Sequence, residues 1–519
     1  MTLQEKNRPA RTLAETLARG ADRAPALLAP ERPSLTYGGL RRLVADGAAA
    51  LRERGIGPAD KVGLVIPNGP EAASAFLVLA SAAVAAPLNP AYTEDEYAFY
   101  LDDLKARALV VPAGFQTPAV AAARRLGITV LPIEVDPAAP AGVFTFGDGR
   151  VGDPVGAGAI ATPDAMSLVL HTSGTTSRPK IVPLSQANLA ASADHIVASL
   201  NLTADDRCLN IMPLFHIHGL IAAVLASLAA GAGVCCTPGF NALRFFGWMR
   251  DVQPTWYTAV PTMHQAIVAR AGRQDSSDGQ PHLRFIRSSS ASLPPQVMTA
   301  LEEAFGCPVI EAYGMTEAAH QMSSNPLPPG ERRSGSVGVA AGPRISIRDS
   351  AGAALAAGVT GEVCIQGPNV TAGYENNPEA NASGFVEADD GRWFRTGDQG
   401  VLDASGYLTI TGRLKEIINR GGEKVSPREV DEVLLDHPAV AQAVTFAVPH
   451  RSLGEAVAAA VVPRDGAAVD EAALRAFAGE RLARFKVPEK ILLLEEIPKG
   501  PTGKVQRIGL AAKLGLAGG

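Results

Sequence analysis

The run from Leu170 to Leu184, LHTSGTTSRPKIVPL, concentrates hydroxyls and one lysine between two apolar stretches. Thr172, Ser173, Thr175, Thr176 and Ser177 offer hydroxyl donors, and Gly174 permits a backbone conformation that other residues resist. Successive N–H groups in such a turn make an anion-binding nest, Lys180 adds positive charge, and Pro179 stiffens the exit. The chemistry on offer is phosphate holding. Yet no G-x-x-x-x-G-K-[ST] P-loop can be read here, and a Ser/Thr-rich surface turn has the same composition. Further along, EAYGMTE presents a flat ring at Tyr313, a hydroxyl at Thr316 and, at Glu317, a hard oxygen ligand suited to magnesium on nucleotide phosphates. In WFRTGD, Asp398 can accept hydrogen bonds from two ribose hydroxyls, or serve as a plain turn residue. Lys504 stands in IPKGPTGKVQR, a basic loop that is flexible by composition.

Such groups must be carried by regular elements. Apolar β-rich runs alternate with helical patterns: KVGLVIP (61–67), then EAASAFLVLASAAVA (71–85); ARALVVP (106–112), then QTPAVAAARRLG (116–127). Strand then helix, repeated, predicts an α/β fold with parallel-rich sheets covered by helices. Asp136 to Pro163 reads as a loop leading into a strand, SLVLHT, that ends on the hydroxyl-rich turn. The apolar run Gly219 to Cys236 predicts a buried helix followed by a strand, not a membrane span. GRWFRTGDQGVLDASGYLTITGR predicts a β-rich meander with turns at Thr396-Gly397-Asp398 and Ala404-Ser405-Gly406. A boundary follows near Gly412. Beyond it, strand, helix, two strands and helix make a small α+β domain, its first helix capped by Ser426 with Pro427 and Glu429 in the opening turn.

With these stretches in order, the chain resembles the acyl-adenylate-forming superfamily of acyl-CoA synthetases, peptide-synthetase adenylation domains and luciferases. The resemblance spans almost the whole chain: HTSGTTSRPK, PLFH (213–216), EAYGMTE (311–317), WFRTGD (393–398), GRLK (412–415), RGGEK (420–424) and PTGK (501–504). It implies a large N-terminal domain, residues 1–412, and a small mobile C-terminal domain, residues 413–519, hinged at Lys415. It implies catalytic roles for Lys504, His216, Thr316 and Glu317, with Glu317 holding the metal. ATP would be bound by Thr172, Ser173, Gly174, Thr175, Thr176, Lys180, Ser290, Ala291, Glu311, Ala312, Tyr313, Gly314, Thr316, Asp398, Arg413 and Lys504. Adenylation brings a carboxylate to an α-phosphate, and two anions meeting need positive charge from magnesium and a lysine. Lys504 is that lysine by resemblance. Rotation about Lys415 would then replace it with Gly421, Gly422, Glu423 and Lys424, whose paired glycines leave room for a pantetheine arm. ATP, Mg2+ and coenzyme A are the implied cofactor and co-substrates. One departure stands out: most relatives have glycine after the loop lysine, and this chain has Ile181, which demands an extended backbone.

The acyl pocket of relatives lies near PLFHIHG, RSSSASL and the residues after GMTE. Here those segments carry His216, His218, Ser290 and His320. Glu317 and His320, three apart, are expected on one side of a helical turn. Polar groups in a buried pocket call for a small, polar acid. The combination resembles oxalate–CoA ligases, in which a serine and a histidine matching Ser290 and His320 hold the second carboxylate. Malonyl-CoA synthetases are the nearest alternative, with Arg284 or Arg287 as the arginine that would meet the distal carboxylate. An adenylating enzyme that loads a carrier-protein thiol is the other.

Composition bounds the rest. The chain has 519 residues, 47% hydrophobic and 19% charged, with a formal net charge of −5. That balance indicates a multi-domain globular protein without a nucleic-acid-binding surface. No CxxC pair occurs among Cys208, Cys235, Cys236, Cys307 and Cys364, so buried thiols in a reducing compartment are expected. The charged N-terminus lacks an apolar signal core. A cytoplasmic, membrane-free monomer or homodimer is expected, with a small carboxylic acid, ATP and CoA as its partners.

Overall fold

The computed structural model describes residues 9–149, 151–153, 162–172, 179–271, 282–464, 466–498 and 505–516. The chain packs as two compact units. The first comprises Met1–Thr172, Pro179–Ile345 and Ile365–Gly384; the second includes Ser346–Cys364 and Phe385–Gly519.

Among the described residues the first unit holds a nine-stranded and a seven-stranded sheet. The nine-stranded sheet is parallel across its middle, where Val309–Met315, Phe285–Ser288, Trp256–Ala259, Arg207–Asn210 and Gly233–Cys236 lie side by side in that order. His320–Ser324 adds an antiparallel strand against Val309–Met315. The seven-stranded sheet follows the expected strand–helix alternation. Lys61–Leu64 pairs in parallel with Val84–Pro87 and with Ala108–Pro112, the helices Pro70–Ala82 and Glu94–Leu104 intervene, and Pro118–Arg125 leads on to the next parallel strand, Thr129–Glu134. The helix predicted over 71–85 stops at Ala82, and Val84–Pro87 becomes a buried strand. Met166–Thr172 runs parallel to that strand and turns back antiparallel as Lys180–Ser185.

Each sheet face is sealed by apolar side chains. Phe245, Trp248, Met249, Tyr257 and Ile286 cluster on one face of the larger sheet. Tyr97, Leu101, Leu109, Val169 and Ile181 cluster on the smaller. Ile181 is therefore accounted for. It lies in an extended strand with its side chain in the core, and its carbonyl accepts from the Glu375 N–H at 3.0 Å. All five cysteines are buried free thiols. The apolar run near residue 220 is not a regular α-helix. His218–Leu225 forms a wide π-type turn, then Ala226–Ala229 continues as α-helix before the strand Gly233–Cys236. Among the described residues no helix is long and apolar enough to cross a membrane.

The second unit carries an antiparallel meander and an α+β sheet. Gly391–Leu402 is a single strand, lying between Gly361–Gln366 and Phe385–Ala388 in the sheet and pairing antiparallel with Phe385–Ala388 along its first residues and with Leu408–Arg413 along its last. The expected turn at Ala404-Ser405-Gly406 joins the last pair. The expected turn at Thr396-Gly397-Asp398 is absent: the strand runs through it, and Gly397 absorbs the irregularity at φ +73°. The α+β sheet contains Ile418–Arg420, Glu423–Val425, Val440–His450, Gly454–Pro463 and Lys490–Leu493. Its core packs Val430, Leu434, Val457, Val461 and Leu474. The helix Pro427–Leu435 begins as expected, with proline at the start, but Ser426 does not cap it. Its hydroxyl donates to the Thr411 carbonyl instead.

Candidate active site

The candidate residues of the first unit sit at the carboxyl ends of its parallel strands, where doubly wound sheets place ligands. Phe285–Ser288 leads into Ser290, Val309–Met315 leads into Thr316 and Glu317, Arg207–Asn210 leads to His216 and His218, and Met166–Thr172 ends on Thr172. Ser173, Gly174, Thr175, Thr176 and Lys504 lie outside the described residues.

Glu317 is buried in the short 3-10 turn Thr316–Ala318. Its Oε1 accepts from the Tyr374 hydroxyl at 2.9 Å. The ammonium of Lys180 lies 4.4 Å above the centre of the same Tyr374 ring. One tyrosine thus touches both the carboxylate expected to hold metal and the lysine expected to hold phosphate, a contact that sequence reasoning missed. Among the described residues no cluster of three or more His, Cys, Asp or Glu is arranged for a metal. Magnesium keeps water and substrate phosphates as ligands and takes one or two carboxylates from protein, so a single buried carboxylate such as Glu317 suits it.

Ser290 and His320 do come together, through His218. The His218 Nδ1 is hydrogen-bonded to Ser290 Oγ at 3.0 Å and its Nε2 to Thr258 Oγ1 at 2.6 Å. The His320 ring lies 5.0 Å from the His218 ring. His320 does not share a helical turn with Glu317. After Ala319 at φ +45°, His320 opens the strand His320–Ser324 and pairs with Met315. Ser290 at φ +73° and His320 at φ +93° are both held in the left-handed region, which costs a non-glycine residue about 1–3 kcal/mol and gathers at functional sites. Two glycines make the arrangement possible. A Cβ on Gly314 would stand 1.8 Å from the His320 carbonyl oxygen, and one on Gly219 would stand 2.3 Å from the Pro213 carbonyl oxygen.

The remaining candidates divide between scaffold and surface. Glu311 is buried, and its Oε1 accepts from the Leu293 N–H at 3.0 Å, pinning the segment that carries Ser290 and the exposed Ala291. Ala312 is buried in the strand, and Tyr313 keeps a partly open ring beside it. His216, partly buried, packs its ring 4.6 Å from that of Phe215. Arg284 is committed elsewhere, gripping Asp206 through Nε at 2.8 Å and Nη2 at 2.9 Å. In the second unit Asp398 and Arg413 are register partners, and the guanidinium donates to the carboxylate at 2.7 and 3.3 Å. Lys415 is exposed in the turn just after that strand, where the Glu416 and Ile417 N–H groups both donate to the Arg413 carbonyl. Gly421 at φ +60° and Gly422 at φ +95° form the two-residue turn between strands that pair Arg420 with Glu423. Glu423 and Lys424 are exposed beside it, Lys424 donating to Asn419.

Comparison with known proteins fits this geometry. The AMP-binding enzyme family matches residues 13–375, and the AMP-binding enzyme C-terminal domain matches residues 429–504. The chain belongs to the AMP-binding enzyme family. This AMP-binding enzyme is 47% identical over 479 residues to an oxalate–CoA ligase of Arabidopsis thaliana, covering 91% of this chain and 92% of that protein. It is 39% identical to an oxalate–CoA ligase of Saccharomyces cerevisiae, covering 86% of each. Its structure resembles that of ATP-bound MatB from Rhodopseudomonas palustris, with a TM-score of 0.85 at 30% identity over 97% of this chain and 98% of that one.

Proposed function

We propose that this AMP-forming acid–thiol ligase joins oxalate to coenzyme A, releasing AMP and pyrophosphate, in the cytoplasm. The polar group of buried His218, Thr258 and His320 with half-buried Ser290 carries the choice of acid. A long acyl chain asks for apolar lining, and buried polar atoms are costly unless a polar ligand meets them. The oxalate–CoA ligases among the relatives support the same acid.

In the first half-reaction an oxalate oxygen attacks the α-phosphorus of ATP. The bond to the bridging oxygen breaks, pyrophosphate leaves with the electron pair, and an oxalyl-adenylate forms. Thr172, Ser173, Gly174, Thr175, Thr176 and Lys180 hold the departing phosphates. Tyr313 packs on adenine, and Asp398 with Arg413 takes the ribose. Ser290 and His320 meet the distal carboxylate, and His216 serves the same acid. Glu317 would hold magnesium, which neutralises phosphate charge when bound. Lys504 supplies the positive charge that follows the transition state. Rotation of residues 413–519 about Lys415 then exchanges Lys504 for the turn at Gly421 and Gly422. The CoA thiolate attacks the acyl carbon, and the bond to AMP breaks.

Pyrophosphate release with oxalate, malonate, acetate and octanoate, each with and without CoA, tests the reading. Oxalate turnover that requires CoA is expected. Turnover of octanoate with none of oxalate would sink the polar-pocket argument, and turnover indifferent to CoA would favour a carrier-protein thiol.

A further inference from the structure

Beneath the acid pocket lies a charge that the proposed reaction has not used. Arg287 is fully buried on the strand Phe285–Ser288, in register with Thr258 on the neighbouring strand. Among the described residues its guanidinium meets only neutral acceptors. Nη1 donates to Thr258 Oγ1 at 3.4 Å and Nη2 to Gln321 Oε1 at 3.1 Å, while Nε is buried without a hydrogen bond. The Cys208 thiol is nearby, and burial raises its pKa well above the ordinary value, so it stays neutral. Burial lowers the Arg287 pKa to about 10, which leaves it a cation at neutral pH.

Buried charges in proteins are ordinarily paired, because an unpaired one forfeits its hydration with nothing in return. Arg284, three residues earlier, obeys that rule with Asp206. Arg287 breaks it, at the one place where an anion is expected to enter. Its contacts point the same way. Thr258 Oγ1 accepts from Arg287 and is hydrogen-bonded to His218 Nε2, and His218 Nδ1 is hydrogen-bonded to Ser290. Gln321, its other acceptor, directly follows His320.

We propose that Arg287 is the positioning and charge-selecting residue of the acid pocket. Acting through Thr258 and His218, it biases Ser290 and His320 toward acids that carry a second negative charge. Arg287 has no hydrogen acceptor of its own, so its side of the network can only donate. The network therefore favours an acceptor at its far end, and a distal carboxylate is such an acceptor. This inference rests on the acid pocket assigned above but not on oxalate in particular.

The test uses the full-length enzyme with MgATP and CoA and three variants: Arg287→Met, Arg287→Gln and Arg287→Lys. Oxalate, malonate and succinate represent dianions, and acetate a monoanion. Both neutral variants are expected to raise the KM for the preferred dianion at least tenfold, leaving the KM for ATP within about twofold. Lysine is expected to recover much of the loss. The melting temperature of the unliganded Met variant is expected to hold or rise, because an apolar side chain replaces an uncompensated charge. A purely structural arginine would behave otherwise: melting temperature would fall, every substrate would suffer alike, and Lys would not rescue. That outcome, or an unchanged dianion KM in a folded neutral variant, overturns the proposal. If the wild type prefers another dianion, oxalate as substrate fails while Arg287 is judged on that dianion. If it takes acetate and no dianion, both fail.

Discussion

Tyr374 stands between Glu317 and Lys180, its hydroxyl on the carboxylate and its ring beneath the ammonium. Removing the hydroxyl while keeping the ring should loosen the carboxylate alone. A hydrogen bond to a charged group contributes about 1.5–3 kcal/mol. Tyr374→Phe is therefore expected to raise the magnesium concentration for half-maximal pyrophosphate release by about tenfold, with the KM for oxalate little changed. A magnesium titration checks this; equal losses in both parameters would return Tyr374 to a packing role. His320→Ala is expected to weaken oxalate far more than acetate, as the ratio of kcat/KM for the two acids reads. At this scale the sequence was legible wherever a residue's chemistry is self-evident. The carboxylate of Glu317, the hydroxyl of Ser290 and the imidazole of His320 were candidates on type and motif alone. Tyr374, Thr258 and Gln321 were not, because their parts depend on strands distant in sequence that fold beside them. A threonine in the fully buried, otherwise aromatic and apolar strand Trp256–Ala259 was an available signal.

Elements place these side chains by unusual backbone as much as by regular structure. Gly219, in the wide turn that starts at His218, has no room for a Cβ, whereas Gly397 has open space around it but a left-handed φ. The two should respond differently to alanine. Gly397→Ala is expected to cost about 1–2 kcal/mol of strain and little else. Gly219→Ala must displace a backbone carbonyl or the turn itself, with a larger stability loss and weaker oxalate binding through His218. Denaturant midpoints for the two variants, read beside their oxalate KM values, test the contrast. Strand–helix alternation was legible because apolar period and length agree over Lys61–Leu64 and Pro118–Arg125. The strand through Gly397 was not, because Thr-Gly-Asp has turn composition, and pairing before and after it together with the Thr396 and Gly397 contacts to Val363 and Glu362 keeps it extended. Ser426 misled for a related reason: a hydroxyl caps by accepting from a helix N–H, and here the side chain is turned to donate to the Thr411 carbonyl of a preceding strand instead.

For the molecule as a whole, the ordered motifs made the family and the α/β class legible before any geometry. Packing adds what linear order conceals, since among the described residues Ser346–Cys364 joins Phe385 and later residues while Ile365–Gly384, between them, belongs to the other unit. The proposed pivot at Lys415 predicts separable half-reactions. Lys504→Ala is expected to abolish adenylation while keeping most thioester formation from supplied oxalyl-adenylate and CoA, each followed in single turnover. Equal loss of both steps would exclude domain alternation. Meanwhile the hairpin that pairs Met315 with His320 has a consequence for how such an enzyme can change its diet. The residue proposed to meet the acid and the turn proposed to meet the nucleotide are a few bonds apart on one ribbon. A substitution that reshapes His320 will disturb Glu317 and the fit of ATP as well. Laboratory evolution toward bulkier acids is therefore expected to accept changes first at Thr258 or Arg287, on strands outside that ribbon, and to leave His320 until last.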